Sequence, residues 1–510
     1  MKNKGGNPMK KTLSLFLAVL MVCAMIPVIS LADEPTHISI LCATWSPYDP
    51  DETSVWDELA ARTGIVIDWQ WAPSADFDTK VNTVLAGNDI PDIIYSSNPS
   101  LLINQEAIIP LDDYLQEYCP NYLARLNDED YIYLRNISDG KMYFVSHILD
   151  FPPSMSNLIR TDWVAKAGME MPKTWDEYVE FWKWVRDNDA NENGDSTDEI
   201  PLTEPSVSYL LKLGNWFDIK VNNDYFALDA EGNLISLYEH EHFNDFLNAM
   251  RDLYAEGLLD KEFITRGDTY KTVLNSAIAG MTFYWAEYAN NVTTALREQY
   301  PDAAFAFTVP PTYYEGTTGL VNSRAKMYTY GSCLTTACEE RGHVEAALTL
   351  LNYIYSEEGS NLMNYGVEGI HHTKVDGKFV LNDEILAGGF VSARKSGIIP
   401  SIFSYNFQAD AYMQILTAGK DYDDMAPSFQ LFYHALMDNE PYFYAVVPLF
   451  TTESYVEYGS ELTGKLTSAF AQCVVGEITV DEFYTQYNAI KAQGWQQIID
   501  EQIEAYAAVR

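Results

Sequence analysis

Oxygen-bearing side chains are concentrated in one short segment, DNDANENGDSTDEIPL, at residues 187–202. A hard cation such as Ca²⁺ takes roughly six to eight oxygen ligands, which carboxylates and amides at alternate loop positions can supply. Gly194 completes a D-x-N-x-N-G pattern, in which the glycine allows the sharp turn that brings these oxygens together. The candidate ligands are Asp189, Asn191, Asn193, Asp195, Asp198 and Glu199.

This segment differs from an EF-hand at its end. An EF-hand loop closes with a bidentate Glu, whereas the corresponding position here is Ile200, one residue after Glu199. The alternative interpretation is a solvated acidic turn. So many carboxylates without a counter-ion would repel one another, which favours a bound cation. We therefore expect a structural calcium site, with no open coordination position for catalysis.

The elements that position these residues alternate between strand-like and helix-like periodicity. Strands separated by helices predict parallel pairing and an α/β fold. In the first hundred residues the pattern predicts strands at 37–44, 64–71 and 92–97 and helices at 53–64 and 78–88.

Further along, Thr174 and Glu177 form a T-x-x-E capping box, the signature of a helix start. The helix that follows carries apolar residues at helical spacing, so it has one buried face. That face comprises Tyr178, Phe181, Trp182 and Val185. The C-terminal segment, from TVDEFYTQYNAIKAQG to the end, is also predicted to be helical.

Open α/β sheets bind ligands beyond the carboxyl ends of their strands, which selects candidate binding residues. Aromatic rings can cover the apolar faces of a ligand, and amides can bind its polar groups. The candidates are Trp45, Tyr48, Asn98, Trp216, Trp285 and Tyr405. For Trp285, at the end of the predicted strand IAGMTFYW, two interpretations stay open: a ring that stacks on the ligand, or a plug that closes the strand end.

The N-terminus reads as a secretory signal over residues 1–32, with lysines, then an uncharged apolar stretch, then small residues at Ser30–Ala32. Lipid attachment at Cys23 is the alternative, but Val22 stands where a small residue is usual. We expect cleavage after Ala32 and a secreted or cell-surface protein. The net charge of −41 argues against nucleic acid as a partner.

Several motifs resemble those of bacterial extracellular solute-binding proteins, the capture subunits of ABC sugar importers. VLAGNDIPDIIYSS, AIIPLDDYLQEYCPNY, DGKMYFVSH and LIRTDWVAKAGMEMPKTWDEY are similar to that family's motifs and occur in the family's order. DANENGDSTDEIPL is similar to the calcium loop of its oligosaccharide- and alginate-binding subgroup, and YGVEGIHHT and IDEQIEAYAAV also fit it.

The resemblance implies a periplasmic-binding-protein-like fold, with a ligand cleft between two lobes joined by a hinge. Lobe 1 would comprise residues 33–147 and 311–372, and lobe 2 residues 148–310 and 373–510. It also implies a carbohydrate ligand, structural calcium, ABC permease subunits as partners, no catalysis, and, we expect, a monomer. Two departures stand out: Ser146–His147 replaces a usual proline, and the calcium loop is one residue longer before its Asp-Glu pair.

Two other classes of function stay open at this point. A secreted carbohydrate-active hydrolase could use paired carboxylates, but acidic residues are so abundant that no pair is informative. HEHF at 240–243 is not H-E-x-x-H, and no G-x-S-x-G is present. A ligand-binding sensor that feeds a signalling partner is the other alternative. The sequence does not identify the sugar. An acidic sugar could be bound by positively charged side chains, for which the candidates are Arg160, Arg324 and Arg394.

Overall fold

The structure is a computed structural model, and it describes most of residues 35–509. The residues within that range that it does not describe are 45–53, 74–75, 88, 97, 137, 151–154, 286–291, 294–295, 318, 324–326, 401–403, 421–429, 431–442, 446–448 and 451. The predicted signal segment therefore lies outside the described residues. None of the described helices is both long enough and apolar enough to cross a lipid bilayer.

The described strands, in chain order, are β1 Thr36–Thr44, β2 Ile65–Pro73, β3 Ile93–Ser96, β4 Val145–Leu149, β5 Met155–Arg160, β6 Ile200–Leu202, β7 Lys220–Val221, β8 Phe226–Leu228, β9 Leu234–Ser236, β10 Ala279–Trp285, β11 Phe305–Thr308, β12 Val321–Ser323, β13 Met327–Leu334, β14 His372–Val375, β15 Lys378–Leu381, β16 Asn406–Phe407 and β17 Phe443–Ala445.

The described α-helices are α1 Ser54–Thr63, α2 Phe77–Leu85, α3 Pro99–Asn104, α4 Asp112–Tyr118, α5 Pro120–Leu123, α6 Thr161–Lys166, α7 Trp175–Asp187, α8 Val207–Lys212, α9 Phe243–Ala255, α10 Tyr270–Asn275, α11 Thr336–Glu340, α12 Val344–Ile354, α13 Glu357–Tyr365, α14 Asp383–Lys395, α15 Ala409–Thr417, α16 Glu453–Val474, α17 Val480–Ile490 and α18 Gln496–Val509. The α/β class predicted from the alternating periodicity is confirmed.

The first sheet has six strands in the order β16-β4-β13-β3-β1-β2. β1 pairs in parallel with both β2 and β3, as the first hundred residues predicted. Gly64 ends α1 and turns the chain into β2 with a φ of 71°, a conformation that glycine adopts at little cost. β13 is antiparallel to both its neighbours, β3 and β4, so the carboxyl ends of the parallel strands meet the beginning of β13.

A glycine fixes how closely β13 approaches β4. The ladder between these strands shifts register between Met327 and Gly331, which marks an irregularity of the β-bulge type. A Cβ atom on Gly331 would lie 2.0 Å from the carbonyl oxygen of Val145 and 2.8 Å from the hydroxyl of Ser404. Any larger residue would therefore push β13 off its partner strand.

The second sheet has four strands in the order β11-β5-β10-β6. β10 runs parallel to β6 and antiparallel to β5, and β11 is also antiparallel to β5. Its two faces lie in different apolar clusters: Leu158 and Phe307 belong to the cluster around the first sheet, and Met155 and Phe283 to a second cluster.

The predicted capping box is present at the start of α7. Thr174 accepts from the backbone N–H of Glu177, and the Glu177 carboxylate accepts from the backbone N–H of Thr174. The predicted apolar face is buried in the second cluster, where the exposed fraction of Trp182 is 0%. The C-terminal helices α16 and α17 contribute to the same cluster.

The chain passes from the first sheet to the second between β4 and β5, and returns between β11 and β13. These passages lie near the predicted crossings at 147 and 311. β16 pairs with β4, so residues 381–416 pack with the first sheet. The predicted lobe boundaries imply a third crossing near 373, whereas this pairing favours a crossing between β16 and α16. The lobe boundaries themselves remain a prediction.

Candidate functional site

Aromatic rings gather at the edge of the first sheet where its parallel strands end. Gly331 pairs with Ser96, the last residue of β3, so the preceding residues of β13 extend beyond that strand. The group, called here the tyrosine cluster, comprises Tyr95, His147, Tyr328 and Tyr330. The rings of Tyr328 and Tyr330 are stacked, with centroids 4.8 Å apart, and both side chains are half-buried. They are the part of the cluster that solvent reaches.

His147 lies at the centre of this cluster. Its ring meets Tyr95 edge-on at 5.7 Å and Tyr328 at 5.2 Å. Burial raises the pKa of the Tyr95 hydroxyl well above its ordinary value, and the neighbouring tyrosines add to the shift, so the phenol stays neutral. The cluster thus presents neutral rings and hydroxyl groups rather than charge.

A second aromatic group lies at the end of β10 in the second sheet. The indole cluster comprises Tyr209, Tyr270, Tyr284 and Trp285. Tyr209 stacks on Tyr284 at 5.5 Å, and burial raises the pKa of its hydroxyl, an effect that the nearby indole of Trp285 partly offsets. β6 and β10 are parallel, so Trp285, at the end of β10, lies at the carboxyl edge of this sheet. The helix α8, which carries Tyr209, follows β6 and so belongs to the same edge. Trp285 is half-buried.

The six predicted ligand-binding residues have different surroundings. Trp45 and Tyr48 lie outside the described residues. Asn98 is exposed directly after β3 and caps α3, with its side-chain oxygen accepting from the backbone N–H of Leu101 at 3.3 Å. Trp285 is at the edge, as the strand pattern predicted.

Trp216 and Tyr405 are both enclosed by the fold. Trp216 is 1% exposed and packs beside Trp182 with ring centroids 6.1 Å apart. Tyr405 is 2% exposed, and its ring meets that of His147 edge-on at 4.7 Å. These contacts favour a role in packing for both residues, and ligand contact by either remains a prediction.

The sequence reasoning missed most of both clusters. Tyr328 and Tyr330 carried a usable signal, because they alternate within MYTYGS, as residues on one face of a strand do. Tyr209 gave no such signal, since only the course of the chain after β6 brings it to Trp285.

The acidic loop joins α7 to β6. Asp189 accepts from the backbone N–H groups of Asn193 at 3.0 Å and Gly194 at 2.9 Å. Asp198 accepts from the amide of Asn193 at 2.8 Å, and Asn193 in turn accepts from the N–H of Asp195 at 2.7 Å. The predicted residues are therefore brought together, and in this conformation the loop is held by its own N–H groups.

One carboxylate oxygen in the loop stands apart. Glu199 Oε1 accepts from the N–H groups of Ala190 and Asn191, at 2.8 and 3.3 Å, whereas Oε2 is buried with no hydrogen-bond partner among the described residues. Burial raises the pKa of Glu199, and the nearby Asp198 charge adds to the rise. An uncompensated buried carboxylate and an all-oxygen donor set fit a hard cation.

The structure does not itself assemble a metal centre there. In the described part of the chain, no group of three or more His, Cys, Asp or Glu side chains is arranged to hold a metal ion. The fit therefore rests on the donor chemistry and on the Glu199 oxygen.

Comparison with known proteins supplies the family. The model of the family described as "Bacterial extracellular solute-binding protein" matches residues 49–361. The fructooligosaccharide ABC transporter substrate-binding protein FusA of Streptococcus pneumoniae serotype 4 is 30% identical over 272 residues, which is 49% of this chain and 49% of FusA. The match thus spans about half of that relative. Lipoprotein LipO of Bacillus subtilis is 23% identical over 98% of both chains.

Solved structures show the same fold. The alginate-binding protein AlgQ2, solved without calcium ion, superposes with a TM-score of 0.74 at 19% identity, covering 93% of this chain and 98% of AlgQ2. FusA in complex with kestose gives a TM-score of 0.69, also at 19% identity, over 93% of this chain and 100% of FusA. The predicted two-lobed periplasmic-binding-protein-like fold is confirmed, and the chain belongs to the bacterial extracellular solute-binding protein family.

Proposed function

We propose that this protein captures an oligosaccharide outside the cytoplasm and delivers it unchanged to the permease subunits of an ABC importer. The observation that carries the proposal is the pair of half-buried aromatic clusters, one at the carboxyl edge of each sheet of a two-lobed binding fold. Rings in such positions suit the apolar C–H faces of sugars, because a ring face is electron-rich and binds polarised C–H groups. FusA and AlgQ2, a fructooligosaccharide-binding and an alginate-binding protein, support the same class of ligand.

Binding is tested directly by titration calorimetry with kestose, maltotriose and trigalacturonate. We expect one of these sugars to bind with micromolar or tighter affinity and to be recovered intact by chromatography. Reproducible cleavage by the pure protein would favour the alternative of a secreted hydrolase. A binding protein encoded beside a histidine kinase, with no permease genes nearby, would instead favour a sensor.

The acidic loop is proposed to hold a structural Ca²⁺. The residues that would hold it are those predicted from the sequence, and Glu199 is supported further by its buried, unpartnered oxygen. A cation would neutralise the carboxylates at the junction of α7 and β6 and so stabilise the second sheet. Two similar proteins are connected with calcium or an EF-hand: AlgQ2 has been solved without calcium ion, and FusA has been solved as an EF-hand mutant.

Anchoring remains a separate question. We propose cleavage after Ala32 and release or retention at the cell surface without a lipid. LipO, the relative that matches almost the whole chain, is named a lipoprotein, which keeps attachment at Cys23 as the alternative. Mass spectrometry of the mature N-terminus from the native host distinguishes them: a free Asp33 supports cleavage, and a diacylglyceryl-cysteine contradicts it.

The protein is proposed to be a monomer, which light scattering tests.

A further inference from the structure

One row of side chains crosses the second sheet just inside its carboxyl edge. On one face, Phe283 of β10 pairs with Asn157 of β5, and Asn157 pairs with Thr308 of β11. On the other side of β10, Glu204 follows β6 and accepts from the backbone N–H of Phe283 at 2.8 Å. We call Glu204, Asn157 and Thr308 the polar row.

Two members of the polar row have polar atoms without a use in the fold. The exposed fraction of Asn157 is 0%, and neither its side-chain oxygen nor its nitrogen has a hydrogen-bond partner among the described residues. Glu204 is also 0% exposed, and its Oε2 is likewise unpartnered within the described chain. Thr308 differs, because its hydroxyl is bonded to that of Tyr178 at 2.8 Å.

Unpartnered buried polar groups are costly. Leaving such a group without a hydrogen bond costs roughly 1–3 kcal/mol, so a fold that keeps several of them in one row needs a reason. A purely structural sheet would carry apolar residues there, as it does at Phe283 and Ile159.

The row lies next to the indole cluster. Trp285 follows Phe283 by two residues, so the two side chains lie on the same face of β10, and Trp285 pairs with Met155 at the sheet edge. On that face the half-buried Trp285 lies nearest the sheet edge, and the polar row lies farther from the edge. Asn157 and Glu204 therefore lie farther from the sheet edge than Trp285, and both are 0% exposed.

The charge state of the row defines what it could bind. Burial raises the pKa of Glu204 well above its ordinary value, which favours the protonated carboxyl and its O–H donor. The nearby cation, Lys212, is paired with Asp224 at 3.2 Å. The row thus offers donors and acceptors that match the hydroxyl groups of an uncharged sugar.

We propose that Asn157 and Glu204 form the inner end of the solute site in the second lobe and bind hydroxyl groups of an uncharged sugar. This inference rests on the proposed function and narrows it to neutral oligosaccharides. Asn157 would donate to and accept from the sugar, and the Glu204 O–H would donate to a sugar hydroxyl while its other oxygen keeps the bond to Phe283.

The test combines ligand-free melting curves with calorimetric titration of kestose, maltotriose and trigalacturonate. Asn157→Leu should weaken binding of the preferred neutral sugar at least tenfold. The same variant should melt no lower than wild type in the absence of sugar, because it removes an unsatisfied buried amide. Glu204→Leu should also lose at least tenfold in affinity, whereas Glu204→Gln, which keeps one acceptor and one donor, should stay within about threefold.

Thr282→Val is the matched control. Thr282 lies on β10 beside Phe283 but on the opposite face, and it is also 0% exposed with an unpartnered hydroxyl among the described residues. Its substitution should leave affinity unchanged.

Three results would overturn the inference. If Asn157→Leu and Glu204→Leu kept the wild-type affinity but melted at a lower temperature, the polar row would have a purely structural role, with internal water completing its hydrogen bonds. Tighter binding of trigalacturonate than of either neutral sugar would contradict the neutral-ligand assignment while leaving the proposed function standing. Failure of wild-type protein to bind any of the three would reject the proposed function and this inference with it.

Discussion

Tyr209 stacks on Tyr284 at 5.5 Å with its hydroxyl close to the indole of Trp285, which brings the first helix after β6 against the end of β10. This contact restricts the orientation of a ring that is only half-buried. A fixed ring loses less conformational entropy when a ligand stacks on it, and so binds more tightly than a free one.

Replacement of Trp285 by Ala should weaken binding of the preferred sugar by about 2 kcal/mol or more, the scale of a central aromatic contact. Titration calorimetry measures this, with a melting curve to confirm folding. Trp182→Ala is the matched control, because that ring is fully buried in the second cluster and is not a candidate for ligand contact. It should cost about 3–5 kcal/mol of stability, as large core truncations do, and leave the affinity of the folded fraction unchanged. Unchanged affinity in Trp285→Ala, together with a loss of about 3–5 kcal/mol of stability, would mean that Trp285 closes the strand end and does not contact the sugar.

Removal of the Tyr209 hydroxyl tests whether this hydroxyl helps to position Trp285. Tyr209→Phe keeps the ring and its stacking on Tyr284 but removes the hydroxyl that lies close to the Trp285 indole. We expect a loss of affinity of about 1 kcal/mol, the net value of one hydrogen bond, with the melting temperature nearly unchanged. An affinity equal to that of wild type would show that the hydroxyl does not position Trp285 for binding.

Calcium should stabilise the loop and, through it, the fold. A ligand that binds only the native state adds RT ln(1 + [L]/Kd), about 2.7 kcal/mol at a hundredfold excess over Kd. Chelation with EDTA should therefore lower the melting temperature, and added Ca²⁺ should restore it. Asp189→Ala should abolish the response. Asp229→Ala alters another acidic turn, in which Asp229 accepts from Asn233 at 2.8 Å, and should respond as wild type does. Identical melting of calcium-loaded and chelated wild type would refute the site.

Asp92 should make the fold acid-sensitive. Burial alone would raise its pKa, but hydrogen bonds from Ser39, Arg341 and His343 outweigh burial and lower it. A carboxyl with a lowered folded-state pKa adds stability that is fully present above its unfolded pKa of about 3.9 and is lost as pH falls through the folded value. Asp92→Asn should cost roughly 2 kcal/mol at neutral pH, where hydrogen bonds to a charged group are lost.

Urea unfolding of both proteins between pH 7 and pH 3 checks this. The difference between wild type and Asp92→Asn should shrink towards the acidic end of that range. A difference independent of pH would mean that the carboxylate charge contributes nothing to stability.

The sequence predicted what depends on local chemistry. The strand–helix alternation up to residue 97, the capping box at Thr174 and the buried face of α7 all follow from neighbouring residues, and the structure confirms them. It also placed Trp285 at a strand end, because an apolar run that turns abruptly polar marks such a point.

What it did not predict depends on contacts between distant parts of the chain. Trp216 follows a glycine in LKLGNWF, which resembled an exposed loop, but the surrounding indoles enclose it. β16 is two residues long and pairs with β4 from far along the chain, so no local pattern indicated to which sheet it belongs. Asn157 has no sequence signal, because only its position in the folded second sheet leaves its amide without a hydrogen-bond partner among the described residues.

The position of β13 between β3 and β4 has a consequence for how this chain is made. In the first sheet β3 and β4 both pair with a strand that begins at Met327, so the ribosome releases both long before their shared neighbour exists. The first sheet cannot assemble stepwise from the N-terminus, and contacts of such large sequence separation form slowly. A chain that stays unfolded until most of it has been synthesised suits export through a narrow translocon, with folding completed on the far side.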